Sequence, residues 1–160
     1  MDFFFRKIVR DQGTALTHVL GEVQEFTKAD GDGSLVLERE LLAKALEDVQ
    51  AINGAMVGDL MSSAQEGTRT AGPDIYKVGL NTTRLLMAMG DLVVSWLLLR
   101  QAAVALDALP TASARDKPFY EGKVAAARWF AANVLPVLSS QRAIAEATDL
   151  SLMDLDEAAF

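Results

Sequence analysis

The run Leu85-Leu86-Met87-Ala88-Met89-Gly90-Asp91-Leu92-Val93-Val94-Ser95-Trp96-Leu97-Leu98-Leu99 decides how this chain folds. It carries one carboxylate, with Arg84 just upstream, and is shorter than the roughly 20 apolar residues a bilayer span needs. A strand reading fails too, because the apolar positions recur in steps of three, four and seven rather than two. The stripe runs outward through Ile75, Val78, Leu85, Met89, Leu92, Trp96, Leu99, Ala103 and Leu106, and Val93, Val94, Leu97 and Leu98 wrap its middle. A helix that is apolar all round is normally buried. The segment is therefore expected as a core helix from Gly72-Pro73 to about Leu109, since proline in a first turn gives up only an N–H that has no partner there.

The same period appears on both sides of this helix. Phe5, Ile8, Val9, Leu16, Val19, Leu20, Val23 and Phe26 draw one stripe over about residues 3 to 28, and Leu42, Leu46, Val49, Ile52, Met56 and Leu60 draw another over about 36 to 66. A fourth helix is expected from Asp116-Lys117-Pro118 to about Ala147, kinked at Pro136, where an interior proline removes a hydrogen bond. No stretch alternates with period two between hairpin turns, so a sheet has no material. The expected fold is all-α: an antiparallel, up-down four-helix bundle of long helices over residues 1–160, with a short tail from Ser151 to Phe160 that docks or frays.

Composition agrees and narrows the function. The 160 residues carry 15 Lys and Arg against 22 Asp and Glu, a net charge of −7, with no basic run, which argues against nucleic acid as a partner. A hydrophobic share of 51% suits one packed domain. The absence of cysteine excludes disulfides, thiolate metal sites and cysteine nucleophiles. Met1-Asp2-Phe3-Phe4-Phe5-Arg6-Lys7 lacks the charge order and apolar core of a signal peptide, so a cytoplasmic location is expected, with no membrane span.

Asp30-Gly31-Asp32-Gly33-Ser34 has the alternating acids of a calcium loop, but in neither register do glycine and a terminal glutamate fall where that loop needs them. It reads as a turn. The single histidine, His18, has no identifiable carboxylate partner and is expected on the surface or in an interhelical hydrogen bond. Asp91, inside the most apolar segment, should be paired, with Arg84 and Arg128 as the candidate cations. Met56, Met61, Met87 and Met89 with Trp96 and Trp129 have the chemistry to line a ligand cavity, although helical spacing favours plain core. Phe3-Phe4-Phe5 cannot all face one helical stripe, so at least one is expected to be exposed at a missing partner surface. No nucleophile elbow, Walker loop, dinucleotide fingerprint or His-Glu-x-x-His motif occurs. One histidine also cannot supply the Glu-x-x-His pairs of a di-metal bundle.

These residues carry a resemblance. Asp2-Phe3-Phe4-Phe5-Arg6-Lys7-Ile8-Val9-Arg10-Asp11 resembles the helix that follows the catalytic loop in acyl-CoA dehydrogenases, in the bacterial, actinobacterial-type branch with an extra C-terminal helical domain. Trp96-Leu97-Leu98-Leu99-Arg100-Gln101-Ala102-Ala103 and Phe119-Tyr120-Glu121-Gly122-Lys123-Val124-Ala125-Ala126-Ala127-Arg128-Trp129-Phe130, with Leu135-Pro136 beyond, resemble that domain's last two helices. The resemblance implies that residues 1–28 continue a helix of the family's C-terminal α-domain and that 36–160 form the appended domain. It also implies an oxidoreductase and flavoprotein of fatty-acid metabolism. Such an enzyme binds FAD, uses a glutamate to remove the α-proton of an acyl-CoA, passes the β-hydride to flavin, and hands its electrons to an electron-transfer flavoprotein.

The family's glutamate lies in a Tyr-Glu-Gly-Thr motif that is absent here. Tyr120-Glu121-Gly122-Lys123 repeats three of its letters in a stretch that is structural in the resembled domain, so the role of base is not carried over to Glu121. No residue of this chain is therefore expected to be catalytic, cofactor-binding or metal-ligating. The expected partners are the remainder of the dehydrogenase polypeptide and a second copy in a homodimer or higher oligomer. The competing reading is a free-standing bundle that binds a protein partner through its Phe3-Phe4-Phe5 edge. Replacing Glu121 by Gln in the whole enzyme is expected to leave turnover nearly unchanged; a fall of several orders of magnitude would make Glu121 a base after all.

Overall fold

Leu85, Leu92 and Leu99, spaced by one heptad, are fully enclosed, and around their helix the rest of the chain is arranged. The coordinates come from a computed structural model that describes residues 2–29, 33–65 and 72–159. A π-helical turn, Phe3–Val9, leads into α1, Thr14–Lys28, followed by α2, Val36–Gln65, and the long α3, Asp74–Ala108. A short 3-10 turn, Leu109–Thr111, precedes α4, Lys117–Asn133, and α5, Val137–Glu146. No strand occurs among the described residues. Burying each of the three leucines contributes about 1.5–3 kcal/mol.

Paired residues fix the directions. Phe26 lies under the Arg39 guanidinium, 5.1 Å from ring centroid to cation, while Leu16 shares a groove with Val57 and Leu60, so α1 runs opposite to α2. Lys123 reaches Gln101 and Gln141 reaches Arg84, so the α4 and α5 pair runs opposite to α3. Arg128 meets Glu38 at 3.4 Å and Arg142 meets Asp48 at 3.5 Å, so the same pair runs alongside α2. On α4 the inward residues are Val124, Ala127 and Ala131, small enough to admit the larger side chains of α3.

In place of the four expected long helices, the described residues form five α-helices and a π-turn. The first segment breaks at residues 10–13, where Gln12 and Gly13 take left-handed φ values of 57° and 76°. The Asp11 carboxylate accepts from the N–H groups of Gly13, at 3.0 Å, and Ala15, at 3.1 Å, and so starts α1 afresh. At Pro136 the chain ends α4 and opens α5, where a kink was expected. The missing N–H interrupts the ladder, and Leu135 and Leu138 bury themselves on either side of the break.

The aromatic triplet also differs from expectation. Phe4 is fully buried, Phe3 and Phe5 are half-buried against the core, and none of the three is exposed. The bonds from Arg10 N–H to the Phe5 carbonyl and from Gly13 N–H to the Ile8 carbonyl span five residues. This wider turn changes the angular step between neighbours, so the 3.6-residue argument for one outward ring does not apply.

Beyond α5, residues 149–159 form turns and a 3-10 segment, Glu157–Ala159, and are exposed throughout apart from the half-buried Leu150. The Asp30-Gly31-Asp32 part of the calcium-like stretch lies outside the described residues. Gly13, like Gly33 with its φ of 83°, is a position where a side chain is strained by the backbone itself. Gly13→Ala is expected to lower the free energy of unfolding by about 1–2 kcal/mol in urea titrations; an unchanged midpoint would show that the break needs no left-handed residue.

Candidate functional site

The polar centre of the fold is Asp48 on α2, whose side chain is 1% exposed. Its carboxylate accepts from Lys44 Nζ one turn earlier on α2, from Ser139 Oγ of α5 at 2.7 Å, and from Arg142 Nη1 of α5 at 3.5 Å. Burial by itself raises the carboxyl pKa. The hydrogen bonds from Lys44 and Ser139 and the nearby positive charge outweigh that, and Asp48 titrates below the usual carboxylate range. A second network seats α5 on α3. Asn81 donates to Thr148 Oγ1 at 3.0 Å and accepts from Arg84 Nε at 2.9 Å, while Arg84 also bonds Gln141.

Asp91 was the carboxylate expected to be paired, and it is not. It is half-buried in a groove between α3 and α5 with Leu80, Met87 and Val137 and forms no ion pair among the described residues. Burial raises its pKa. Arg84 lines the same groove but bonds Asn81 and Gln141, and Arg128 bonds Glu38 and the Ser34 carbonyl, so neither expected cation pairs with it. The paired acid lies on α2, and its signal was legible in part: Lys44 stands four residues before Asp48 on one helix. The contacts from Ser139 and Arg142 carry no local signature.

The remaining candidates scatter. His18 is exposed on α1. Glu121 is exposed in the first turns of α4, 3.9 Å from Lys117. Met56 and Met89 are core residues, Met61 and Met87 are exposed, and Trp129 is 63% exposed, so methionines and tryptophans line no common cavity. No group of three or more histidines, aspartates or glutamates is placed to hold a metal among the described residues.

What the chain does present is apolar surface. The outer side of α3 exposes Leu80, Met87, Val94, Leu97 and Val104, at heptad-related spacing, opposite the buried leucines. Only the inner face of this helix is covered, contrary to the expectation that it is buried all round. By length and composition α3 also passes for a membrane span, but its inner face packs against α1, α2, α4 and α5. The stripe continues onto Val137 and Ile144 of α5 and Phe119 of α4. Monomeric soluble proteins rarely expose large contiguous apolar surface of this kind. At the far end of α3, a groove of about 530 Å³ lies between Leu97 and Val104 on one wall and Phe119 and Tyr120 on the other. Arg100 lies over the Trp96 ring at 4.9 Å and Lys123 over Phe119 at 5.5 Å along its edge.

Comparison with known proteins gives the arrangement its class. Residues 19–156 match the family model described as acetyl-CoA dehydrogenase C-terminal like. This chain belongs to that family of helical domains from acyl-CoA dehydrogenases. It is 54% identical over 161 aligned positions to the broad-specificity linear acyl-CoA dehydrogenase of Mycobacterium tuberculosis, covering 99% of this chain and 26% of that protein. It is 27% identical over 161 positions to the butyryl-CoA dehydrogenase of Syntrophomonas wolfei, covering 99% of this chain and 25% of that protein. The chain thus spans about a quarter of the length of these relatives.

Dehydrogenases of this class use FAD, and the described residues do not fit it. Enclosing pockets run to roughly 300–1,000 Å³ and bury most of their ligand. A flavin dinucleotide needs the large end of that range, whereas the groove between α3 and α4 is open along its length and mainly apolar. The Asp48 cluster is structural, and its pH dependence follows from the sign of the shift. With a folded-state pKa below the unfolded value, its stabilisation is present at neutral pH and is lost as pH falls through the folded-state pKa. Asp48→Asn is expected to cost about 1–2 kcal/mol at pH 7, with the difference shrinking in urea titrations repeated below about pH 4; a cost that does not change with pH would remove the charge from the explanation.

Proposed function

We propose that this chain is the C-terminal structural and oligomerisation part of an FAD-dependent acyl-CoA dehydrogenase of fatty-acid β-oxidation, and that it is not catalytic alone. The observation that carries this reading is the uncovered apolar stripe of α3, from Leu80 to Val104, on a chain whose polar cluster around Asp48 is fully committed to holding helices together. A surface of that kind is built for packing rather than turnover. The match to the dehydrogenase C-terminal family, and to about a quarter of the length of each relative, supports it.

In this reading the five helices form an up-down bundle in which α4 and α5 together occupy the fourth position. Residues 1–28 continue a helix of the preceding α-domain, and 36–160 form the appended domain. The base, the acyl-CoA pocket and the flavin site lie on the remainder of the polypeptide, which works in the cytoplasm as a homodimer or larger assembly and passes electrons to an electron-transfer flavoprotein. No residue of this chain takes a catalytic, flavin-binding or metal-binding role.

Deleting this chain from the whole enzyme tests the assignment. The truncated enzyme is expected to show a smaller assembly by light scattering and a lower thermal midpoint, and the isolated chain is expected to carry no flavin absorbance. An unchanged assembly mass and midpoint after truncation would overturn the oligomerisation role, and flavin bound by the isolated chain would overturn the assignment of chemistry to the remainder.

A further inference from the structure

The groove at the C-terminal end of α3 combines an apolar floor with uncompensated positive charge. Leu97, Val104, Phe119 and Tyr120 line it, and Arg100 and Lys123 stand on its aromatic edges. Lys123 also donates to Gln101 at 3.1 Å. Among the described residues neither cation forms an ion pair, although the chain as a whole carries a charge of −7. An occupant that complements this groove is apolar and acidic.

The chain itself contains such a segment. After Arg142 no Lys or Arg occurs, while Asp154, Asp156 and Glu157 alternate with Leu152, Met153 and Leu155, all three of them exposed. This tail cannot lie in its own copy's groove. It leaves the bundle beside the start of α3, where Thr148 meets Asn81 and Leu152 lies near Leu80. From Leu80 to Gln101 the helix rises about 32 Å at 1.5 Å per residue. The stretch from Leu152 to Ala159 spans at most about 25 Å fully extended, and its turns shorten it further.

We infer that a second copy of this chain packs its α3 antiparallel along the exposed stripe of the first, each copy laying its acidic tail in the other's groove. A two-fold axis near residue 92 sets Leu80 of one copy beside Val104 of the other, and Met87 beside Leu97. That is the self-complementary pattern of an isologous interface. The same operation carries the tail from the Leu80 end of one copy to the Val104 end of its partner, which closes the gap in reach. The centre of the stripe carries no charge to oppose the contact: Thr83, Met87, Gly90, Val94, Leu97 and Gln101 follow one another, with Arg84 and Asp91 to the α5 side. The seven-residue spacing, which drifts about 20° per heptad on a straight helix, suits the slight crossing of two packed helices.

The inference rests on the oligomerisation reading and is tested separately from it. In the whole enzyme, a photoreactive benzoylphenylalanine replaces Val104 in a copy lacking residues 149–160, co-expressed with a differently tagged copy whose tail is intact. Irradiation is expected to give a covalent dimer carrying both tags, with the cross-link mapped to 149–160 of the intact copy. Charge reversal of Arg100 and Lys123 to Glu is expected to raise the dimer dissociation constant at least tenfold, with recovery when Asp154 and Asp156 become Lys. Cross-links confined to one polypeptide, cross-links to another part of the enzyme, or no cross-link to the tail would each overturn the inference. If truncation dissociates the enzyme but no tail cross-link forms, only this inference fails; if truncation leaves the assembly intact, the broader reading fails with it.

Discussion

One constraint governs this molecule: α3 is apolar on both sides, and a single copy can cover only one of them. The inner stripe of Leu85, Leu92 and Leu99 takes up what the other helices offer, with the leucines and valines of α2 on one side and the small residues of α4 on the other. Removing each of these leucines from water contributes about 1.5–3 kcal/mol to the driving force for the fold. The outer stripe stays uncovered, and Met87 and Val104 are 61% and 67% exposed. A free monomer with such a face is prone to association, which is why the chain reads as part of something larger.

The second dependence is on α5, a ten-residue helix too short to be stable by itself in water. Pro136 severs it from α4, so the α4 backbone cannot hold it in register. Two polar networks do so instead. Asp48 of α2 takes Ser139 and Arg142, and Asn81 and Arg84 of α3 take Thr148 and Gln141. Between them they tie α5 to both central helices and carry the Val137 and Ile144 end of the exposed apolar surface. The buried charge in this fold is thus spent on positioning a surface.

The ionisable groups of this domain sit in contrasting surroundings. Asp48 is held ionised by Lys44, Ser139 and Arg142, whereas burial pushes the pKa of Asp91 the other way, with no ion pair to it among the described residues. Glu121, the residue most suggestive of the family's base by its neighbours in sequence, stands exposed at the start of α4 beside Lys117. Both relatives that name an activity are about four times as long.

Helical period is a local property, and the sequence by itself therefore determined the all-α class, the spans of α2 and α3 to within a residue or two, the interruption at Pro136 and the likeness to the dehydrogenase domain. The break at Asp11-Gln12-Gly13 was also written locally, in a turn signature that the long apolar stripe masked. Only the tertiary structure decided that Asp48 rather than Asp91 is the paired carboxylate, that Phe3, Phe4 and Phe5 all pack inward, that the methionines and tryptophans disperse, and that α3 keeps one face open. Those outcomes depend on residues far apart in the chain. Asp48 and Ser139 are separated by 91 positions, and a pattern read along one helix says which residues share a side but not which neighbour, if any, will cover it.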